Sequence, residues 1–474
     1  MKTEAGYQSI LLTSPPTGQG NKDPYPQPPL GLLLIAAVLE DKCKVFPILD
    51  GNFYENYLDE LASVIKSEHP DVVGFTASTP FASKVMEGAQ MVKHIDPNIL
   101  VVIGGPHATV LPEKTLLKSP FIDVAVCNEG EVTIQKIVDG KPLEKIEGVV
   151  YRHKDKIVRN VNRKFITDLD SLPYPAFHLL PQFPKGYKPH PPRGVRGAWT
   201  SILWSRGCPF NCIYCSRDAS FGRTVRNHSP EYIVSLLRYL HNQFGINDVT
   251  FYDDCFTLNR KLVMKLLESM FPENLGFRLN WDCETRVDLV DPELLQAMKR
   301  AGCHTIAYGI EHGLWIHEIK GGQATLEQAE KVVHWTDEAG INTIGYFMIG
   351  FPRETSETIL KTIAFAKKLD VTWAQFSITI PIPGSKMYKE AIAVNPFLDE
   401  YWDKLLYASN ETLDLPLFFT EKLSEKDLAY WKRRAYKDFY LRLRYFWKRL
   451  SSIRNFSDLK MNIEGFKMLL QMIK

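Results

Sequence analysis

At 474 residues the chain is too long for one ordinary hydrophobic core, so two or three domains are expected. Its 45% apolar and 24% charged residues are those of a soluble globular protein, and a net charge of +2 gives no reason to expect nucleic acid or another polyanion as partner. No signal-peptide pattern opens it, the apolar run "GLLLIAAVL" meets Glu40 well short of the roughly 20 residues a bilayer needs, and eight cysteines are too few for a disulfide scaffold. A cytoplasmic chain with reduced thiols is the expectation.

In chain order, "YQSILLTS", "KVFPILD", "DVVGFTAS", "ILVVIGG" and "FIDVAVCN" read as strands. Between them "GLLLIAAVLED", "NYLDELASVIKSE" and "FASKVMEGAQMVKHI" carry apolar spacing near 3.6. This alternation predicts an α/β domain over 1–145, a doubly wound, Rossmann-like parallel sheet whose ligand lies outside the carboxyl ends of the strands. Those ends are rich in small and hydroxylated residues: "SPPTGQGN", "TASTP", "GGPHAT" and "NEGE". Next, "GVVYRHKDKIVRN" reads as a hairpin and the proline-laden stretch Leu172 to Arg193 as an extended linker, together 146–197. A second rhythm fills 198–395, with strands "TSILWSR", "DVTFYDD", "FRLNWDCE", "HTIAYGIE", "NTIGYFMIG" and "TWAQFSIT". Six βα units predict a partial (β/α)6 barrel of TIM type with its site on the C-terminal rim. The remainder, 396–474, is aromatic, basic and predicted helical.

Cys208, Cys212 and Cys215 fall within eight positions, in "CPFNCIYC". Structural zinc needs four ligands in a closed tetrahedron, and no second CxxC completes one. Cys43, Cys127, Cys255, Cys283 and Cys303 are scattered singly and read as small hydrophobes. Three thiolates on one loop suit a 4Fe-4S cubane with one iron left open, so the ligand count favours the cluster over zinc.

The "CPFNCIYC" loop after the first barrel strand resembles the signature of the radical SAM enzymes. The resemblance implies a 4Fe-4S cluster held by Cys208, Cys212 and Cys215, with S-adenosylmethionine (SAM) chelated at the open iron. Reductive cleavage then yields a 5'-deoxyadenosyl radical that abstracts hydrogen from an unactivated substrate position. It further implies Tyr214 near the adenine, Asp253 and Asp254 for the ammonium, Arg286 as a carboxylate clamp, Glu311 for the ribose, and Gly350 at a turn under the adenine.

No G-x-G-x-x-G follows the first strand, which argues against a dinucleotide. Joined to such a barrel, "PPLGLLLIAAVLE", "DVVGFTAST", "GGPHAT" and "NEGEVT" resemble the cobalamin-dependent radical SAM subfamily. That resemblance implies a cobalamin with Leu30 and Gly31 near the corrin. Ser78, Thr79, Gly104, Gly105 and His107 would border the nucleotide tail, and Glu129 and Gly130 would close the loop. The first loop lacks the D-x-H-x-x-G of free-standing cobalamin modules, so no histidine from it is expected on cobalt. For His107 a helix-opening or tail-contacting role is favoured over a cobalt bond.

The resemblance implies methyl transfer from methylcobalamin. Ring formation or carbon oxidation without methyl transfer, and a non-enzymatic cobalamin-binding regulator, are the alternatives; the intact cysteine loop argues against the last. The implied partners are a small-molecule or lipid substrate and an electron donor of flavodoxin or ferredoxin type. "YWKRRAYKDFYLRLRYFWKRLSSIR", residues 430–454, interleaves nine basic residues with aromatics against one acid. A helix packing its aromatics on the barrel is favoured there; the rival reading is peripheral membrane contact.

Overall fold

The structure, a computed structural model, describes residues 6–18, 23–193, 197–216, 221–396, 398–400, 402 and 420–451, and positions 463, 465, 466 and 469. Part of "SPPTGQGN" and the end of the basic tail (452–454) lie outside them. The chain divides into two compact units. The first is Met1–Tyr187 with Ser216–Arg226 and Ile392–Asp414; the second is Lys188–Cys215 with Asn227–Ala391 and Leu415–Lys474.

The first unit is built on strands β1 (Ser9–Ser14), β2 (Lys44–Val45), β3 (Leu49–Asp50), β4 (Val72–Thr76), β5 (Leu100–Gly104), β6 (Val124–Val126), β7 (Val149–His153) and β8 (Lys156–Arg159). Their order is β2-β1-β4-β5-β6-β7-β8, with β3 also on β1. Pairing is parallel from β2 through β6 and antiparallel for β6–β7 and β7–β8. Near-continuous apolar runs such as Val72–Phe75 are buried because helices cover the sheet. Leu61 and Ile65 of helix Tyr57–Glu68, and Val85, Ala89 and Val92 of helix Ala82–Ile95, share one core with Leu11, Val73, Phe75 and Val101. At Gly88 a Cβ would stand 2.8 Å from the Phe75 ring, so the missing side chain lets that helix seat on β4.

The expected linker is a correction. Its hairpin is β7 and β8, the antiparallel edge of the first sheet. The proline-rich stretch is packed rather than extended: Leu172, Phe177, Leu180 and Tyr187 are buried. Ala176 N–H donates to Leu33 O at 3.1 Å, and the Tyr187 hydroxyl to Asp50 at 3.0 Å. Prolines remove donors and forbid long helices, but they leave the apolar neighbours free to seek burial.

The second unit carries β9 (Ala198–Ile202), β10 (Ile246–Phe251), β11 (Asn280–Arg286), β12 (Cys303–Glu311), β13 (Asn342–Ile349) and β14 (Trp373–Ile378), all parallel and each beside its chain neighbour. The sheet is a half-barrel with β9 and β14 as its two ends. Helix boundaries are written locally. Ser229 caps Pro230–Phe244, which ends at Gly245 (φ 70°), while Asp291 and Thr325 cap the helices that follow β11 and β12.

The β14 edge is covered by the tail. Tyr440 of helix Glu425–Tyr440 accepts from Ala374 N–H and donates to Ala374 O, both at 2.9 Å. Tyr436 does the same for Phe376, and Tyr445 donates to Thr372 O at 2.9 Å. Three phenols thus satisfy backbone groups that a seventh strand would have paired. Tyr440→Phe is expected to lower stability by about 1–3 kcal/mol, because it orphans a strand amide; the urea midpoint reads this out.

Candidate active site

After β9 the chain enters the cysteine loop. Cys208, Cys212 and Cys215 form no disulfide and are half-buried. Ile213 N–H donates to Ile319 O at 2.9 Å, and Cys212 Sγ lies 3.4 Å from Lys320 O, so the loop rests on the end of helix Ile316–Lys320. Cys43 is half-buried as well, but the other four thiols are unlike these. Cys127, Cys255, Cys283 and Cys303 are buried. Burial pushes Cys127 and Cys255 up to about 11, which disfavours the thiolate a metal needs. Among the described residues no three His, Cys, Asp or Glu side chains converge on one metal ion. The thiols of a cubane each face a different iron and do not converge on a point, so this donor set fits a 4Fe-4S cluster.

Beside the loop lies a buried polar cluster. Tyr214 donates its hydroxyl to Glu311 Oε1 at 2.8 Å, and Lys320 Nζ reaches the same oxygen at 3.0 Å and Gly309 O at 2.9 Å. Burial and the Glu311 charge push Tyr214 well up, so it stays a neutral donor. Glu311 holds φ 66° at the end of β12, a conformation uncommon outside glycine. A Cβ on Gly309 would fall on the Glu311 carboxylate and the Lys320 ammonium, so that position must stay small. Lys320 escaped sequence reasoning; one lysine in "WIHEIKGG" reads as a solvated charge, yet it is only 3% exposed.

The other rim residues are placed as follows. Asp253 follows β10, is buried, and accepts from Ser205 N, Ser205 Oγ and Trp204 N; Asp254 beside it is half-buried. Gly350 follows β13 with φ 96°, and a Cβ there would press on the Leu428 methyls at 3.3–3.4 Å. The turn at Gly350 is held by Glu354, which accepts from Gly350 N and Phe351 N (3.0 Å) and bonds His312 Nε2 at 3.1 Å. His312 Nδ1 accepts from Leu314 N and Trp315 N, so Nε2 carries the proton. That fully buried pair, not anticipated above, ties the turn after β12 to the turn after β13.

Arg286 departs from its expected role. Nε and Nη2 donate to Asp288 at 2.8 Å each, Nη2 to Gly321 O at 3.0 Å, and Nη1 to Lys320 O at 3.4 Å and Cys212 Sγ at 3.8 Å. All five N–H groups are engaged, which leaves none for a carboxylate clamp.

Burial carries Asp253 up to about 7 despite its three donors. A carboxyl raised above its unfolded value of about 3.9 takes up a proton on folding. Its stabilising contribution is therefore complete below about pH 4 and is lost as pH rises through about 7. The urea midpoint of wild type should accordingly fall across that window relative to Asp253→Asn.

A second buried network lies within the half-barrel. Arg193 binds Asp282 and Glu284 of β11 and donates to Tyr346 at 3.1 Å. Thr250 donates to Asp282 at 2.6 Å and accepts from Trp199 Nε1 at 3.0 Å. Arg193 was read as the end of a linker; nothing local marks it as buried.

In the first unit the predicted cobalamin residues from Ser78 to Gly130 lie at and just beyond the carboxyl ends of β4, β5 and β6. Leu30 and Gly31 open helix Leu30–Ala37. A Cβ at Gly31 or Gly104 would meet nothing within 4 Å, which suits the approach of a large flat ligand. Ser78 is half-buried, and Gly105 holds φ 92° with its Cβ position 3.0 Å from Ala77 O. His107 is buried between Thr79 Oγ1 (3.3 Å) and Thr115 Oγ1 (3.0 Å), and burial lowers it to about 4. Both its ring nitrogens are engaged by threonines. Glu129 is buried against Arg226 (2.7 Å) and Ile166 N (2.6 Å), and Gly130 N-caps the helix Glu131–Val138. These contacts commit His107 and Glu129 to internal partners, while the open glycines fit a cobalamin.

Residues 202–366 match the family model of the radical SAM superfamily, and residues 19–138 that of the B12 binding domain. An uncharacterized methyltransferase of Pyrococcus horikoshii is 37% identical over 441 residues, 91% of this chain and 92% of that protein. An anaerobic magnesium-protoporphyrin IX monomethyl ester cyclase of Cereibacter sphaeroides is 30% identical over 70% of this chain, which spans 55% of that protein. The radical SAM methyltransferase TsrM of Kitasatospora setae, solved with cobalamin and a 4Fe-4S cluster, shares the fold at TM-score 0.67 and 23% identity, over 82% of this chain and 75% of its own. The cofactors are a 4Fe-4S cluster, SAM and cobalamin. With both domain models matched in order, and a relative aligned along nearly its whole length, the chain belongs to the radical SAM superfamily, in the branch that carries an N-terminal B12-binding domain.

Proposed function

We propose that this protein is a cobalamin-dependent radical SAM methyltransferase acting on an unactivated carbon or phosphorus centre. The observation that carries the reading is the 37% identity, across both domains, to a protein named a methyltransferase. Bound together, the three cofactors supply a reductively generated carbon radical and a transferable methyl group. Cys208, Cys212 and Cys215 would hold the cluster. Tyr214, Asp253, Asp254, Glu311 and Gly350 would border SAM, with Lys320 holding the Glu311 carboxylate and the His312–Glu354 pair holding the Gly350 turn. Leu30, Gly31, Ser78, Thr79, Gly104, Gly105 and Gly130 would border cobalamin, with His107 and Glu129 bracing the loops behind them. A second reading, ring formation or oxidation without methyl transfer, is favoured by the similarity to the cyclase.

The substrate is a small molecule or lipid, and a flavodoxin- or ferredoxin-type protein supplies the electron. A lipid substrate is supported by helix Leu443–Ser451, where Leu443 (80%), Phe446 (60%) and Trp447 (64%) are exposed among arginines. No helix among the described residues is long and apolar enough to cross a membrane.

The test is anaerobic turnover with methyl-deuterated SAM, reductant and separate lipid, tetrapyrrole and metabolite pools. S-adenosylhomocysteine, 5'-deoxyadenosine and a deuterated product rising together establish the methyltransferase. Substrate-dependent deoxyadenosine with no deuterated product overturns it in favour of the second reading.

A further inference from the structure

The filled fork of Arg286 raises the question of what the arginine does instead. Its guanidinium lies over the ring of Phe210, inside the cysteine motif, with Cζ 3.7 Å from the ring centroid. Asp288 takes one edge in a bidentate pair, both side chains being 6% exposed. The carbonyls of Lys320 and Gly321 take two more N–H groups, so the plane has no freedom to turn. The remaining Nη1 proton faces Cys212 Sγ. Cys212 and Arg286 stand 74 positions apart in the chain. This is a fixed cation aimed at one ligand sulfur.

We propose that Arg286 is a positioning residue of the cluster that donates a hydrogen bond to the Cys212 thiolate and sets the cluster's reduction potential, with Asp288 as its counter-charge. The inference rests on the cluster reading of the cysteine loop. One-electron reduction by an external reductant adds one negative charge to the cluster. A charged donor at a ligand sulfur stabilises that form and raises the potential. Asp288 opposes the effect by cancelling part of the guanidinium charge in a partly dry site.

The experiment is an anaerobic EPR-monitored redox titration of the reconstituted full chain without SAM or substrate, with iron and sulfide measured on each sample. Arg286→Gln is expected to keep its cluster and titrate at a more negative midpoint than wild type. Asp288→Asn, which retains the arginine and removes its counter-charge, is expected to titrate at a more positive one. Wild-type midpoints in both variants, at full iron content, would overturn the proposal. If Arg286→Gln takes up no iron, Asp288→Asn decides alone: a positive shift supports the assignment and an unmoved midpoint sinks it. Failure of wild type itself to take up iron and sulfide rejects the cluster reading and the proposal with it, an outcome distinct from a loaded cluster with unmoved potentials.

Discussion

Cys212→Ala is expected to leave a folded chain that retains less than half of the roughly four irons of wild type and forms no 5'-deoxyadenosine. The thiol is half-buried on a surface loop, so its removal opens no core cavity and the urea midpoint should hold within about 0.5 kcal/mol. Cys208→Ala and Cys215→Ala should behave alike. Cys255→Ala supplies the contrast: that thiol is buried against Thr285 at 3.3 Å, so its loss costs about 1 kcal/mol while the iron remains. Iron content, urea midpoint and deoxyadenosine yield, taken on the same preparations, separate these cases. Full iron in Cys212→Ala would mean that the loop is not the cluster site.

Arg193→Leu is expected to be the most damaging substitution for stability, at about 3–5 kcal/mol, because it leaves the buried Asp282 and the half-buried Glu284 without their cation. Asp282 is 1% exposed and Arg193 5%, so water does little to replace the pair. Burial already raises the Asp282 carboxyl against the pull of Arg193, and deleting the arginine raises it further. A raised carboxyl favours folding when protonated, so the deficit should be largest at neutral pH and should shrink as pH falls toward about 4. Urea unfolding of wild type and variant between those limits measures it. A deficit independent of pH would show that Arg193 contributes packing and hydrogen bonds rather than charge. Glu284→Gln with Asp282→Asn in the Arg193→Leu background should restore part of the loss, since neutral amides need no counter-charge.

How far the sequence reached differs between elements. The strands of both sheets were legible because burial on both faces leaves unbroken apolar runs, and Val72–Phe75 is such a run. The helix starts in the second unit are local chemistry too, with side-chain caps at Ser229, Asp291 and Thr325. The proline-rich stretch was misread because composition reports which backbone bonds are forbidden and does not report which side chains find a neighbour. Phe177 and Tyr187 show the difference, both buried within a segment that looks like a tether. The tail was half legible: Tyr436, Phe439 and Tyr445 pack on the barrel while Phe446 and Trp447 stay exposed, and that tyrosine hydroxyls cap the β14 edge follows only from where the helix lies.

By itself, then, the sequence determined the parallel strands of both sheets, the cysteine loop and the open glycines Gly31 and Gly104. Each depends on neighbours a few positions apart, where periodicity and motif spacing carry the information. Only the tertiary structure decided what the charged groups do. Arg193 meets Asp282 89 positions on, Tyr214 meets Glu311 97 positions on, and Arg286 turns from a carboxylate clamp to a donor at Cys212. A charge is read locally as solvated, because that is the cheapest state for it in isolation. Burial becomes favourable only when the fold delivers partners for every donor and acceptor, and no stretch of sequence records that delivery.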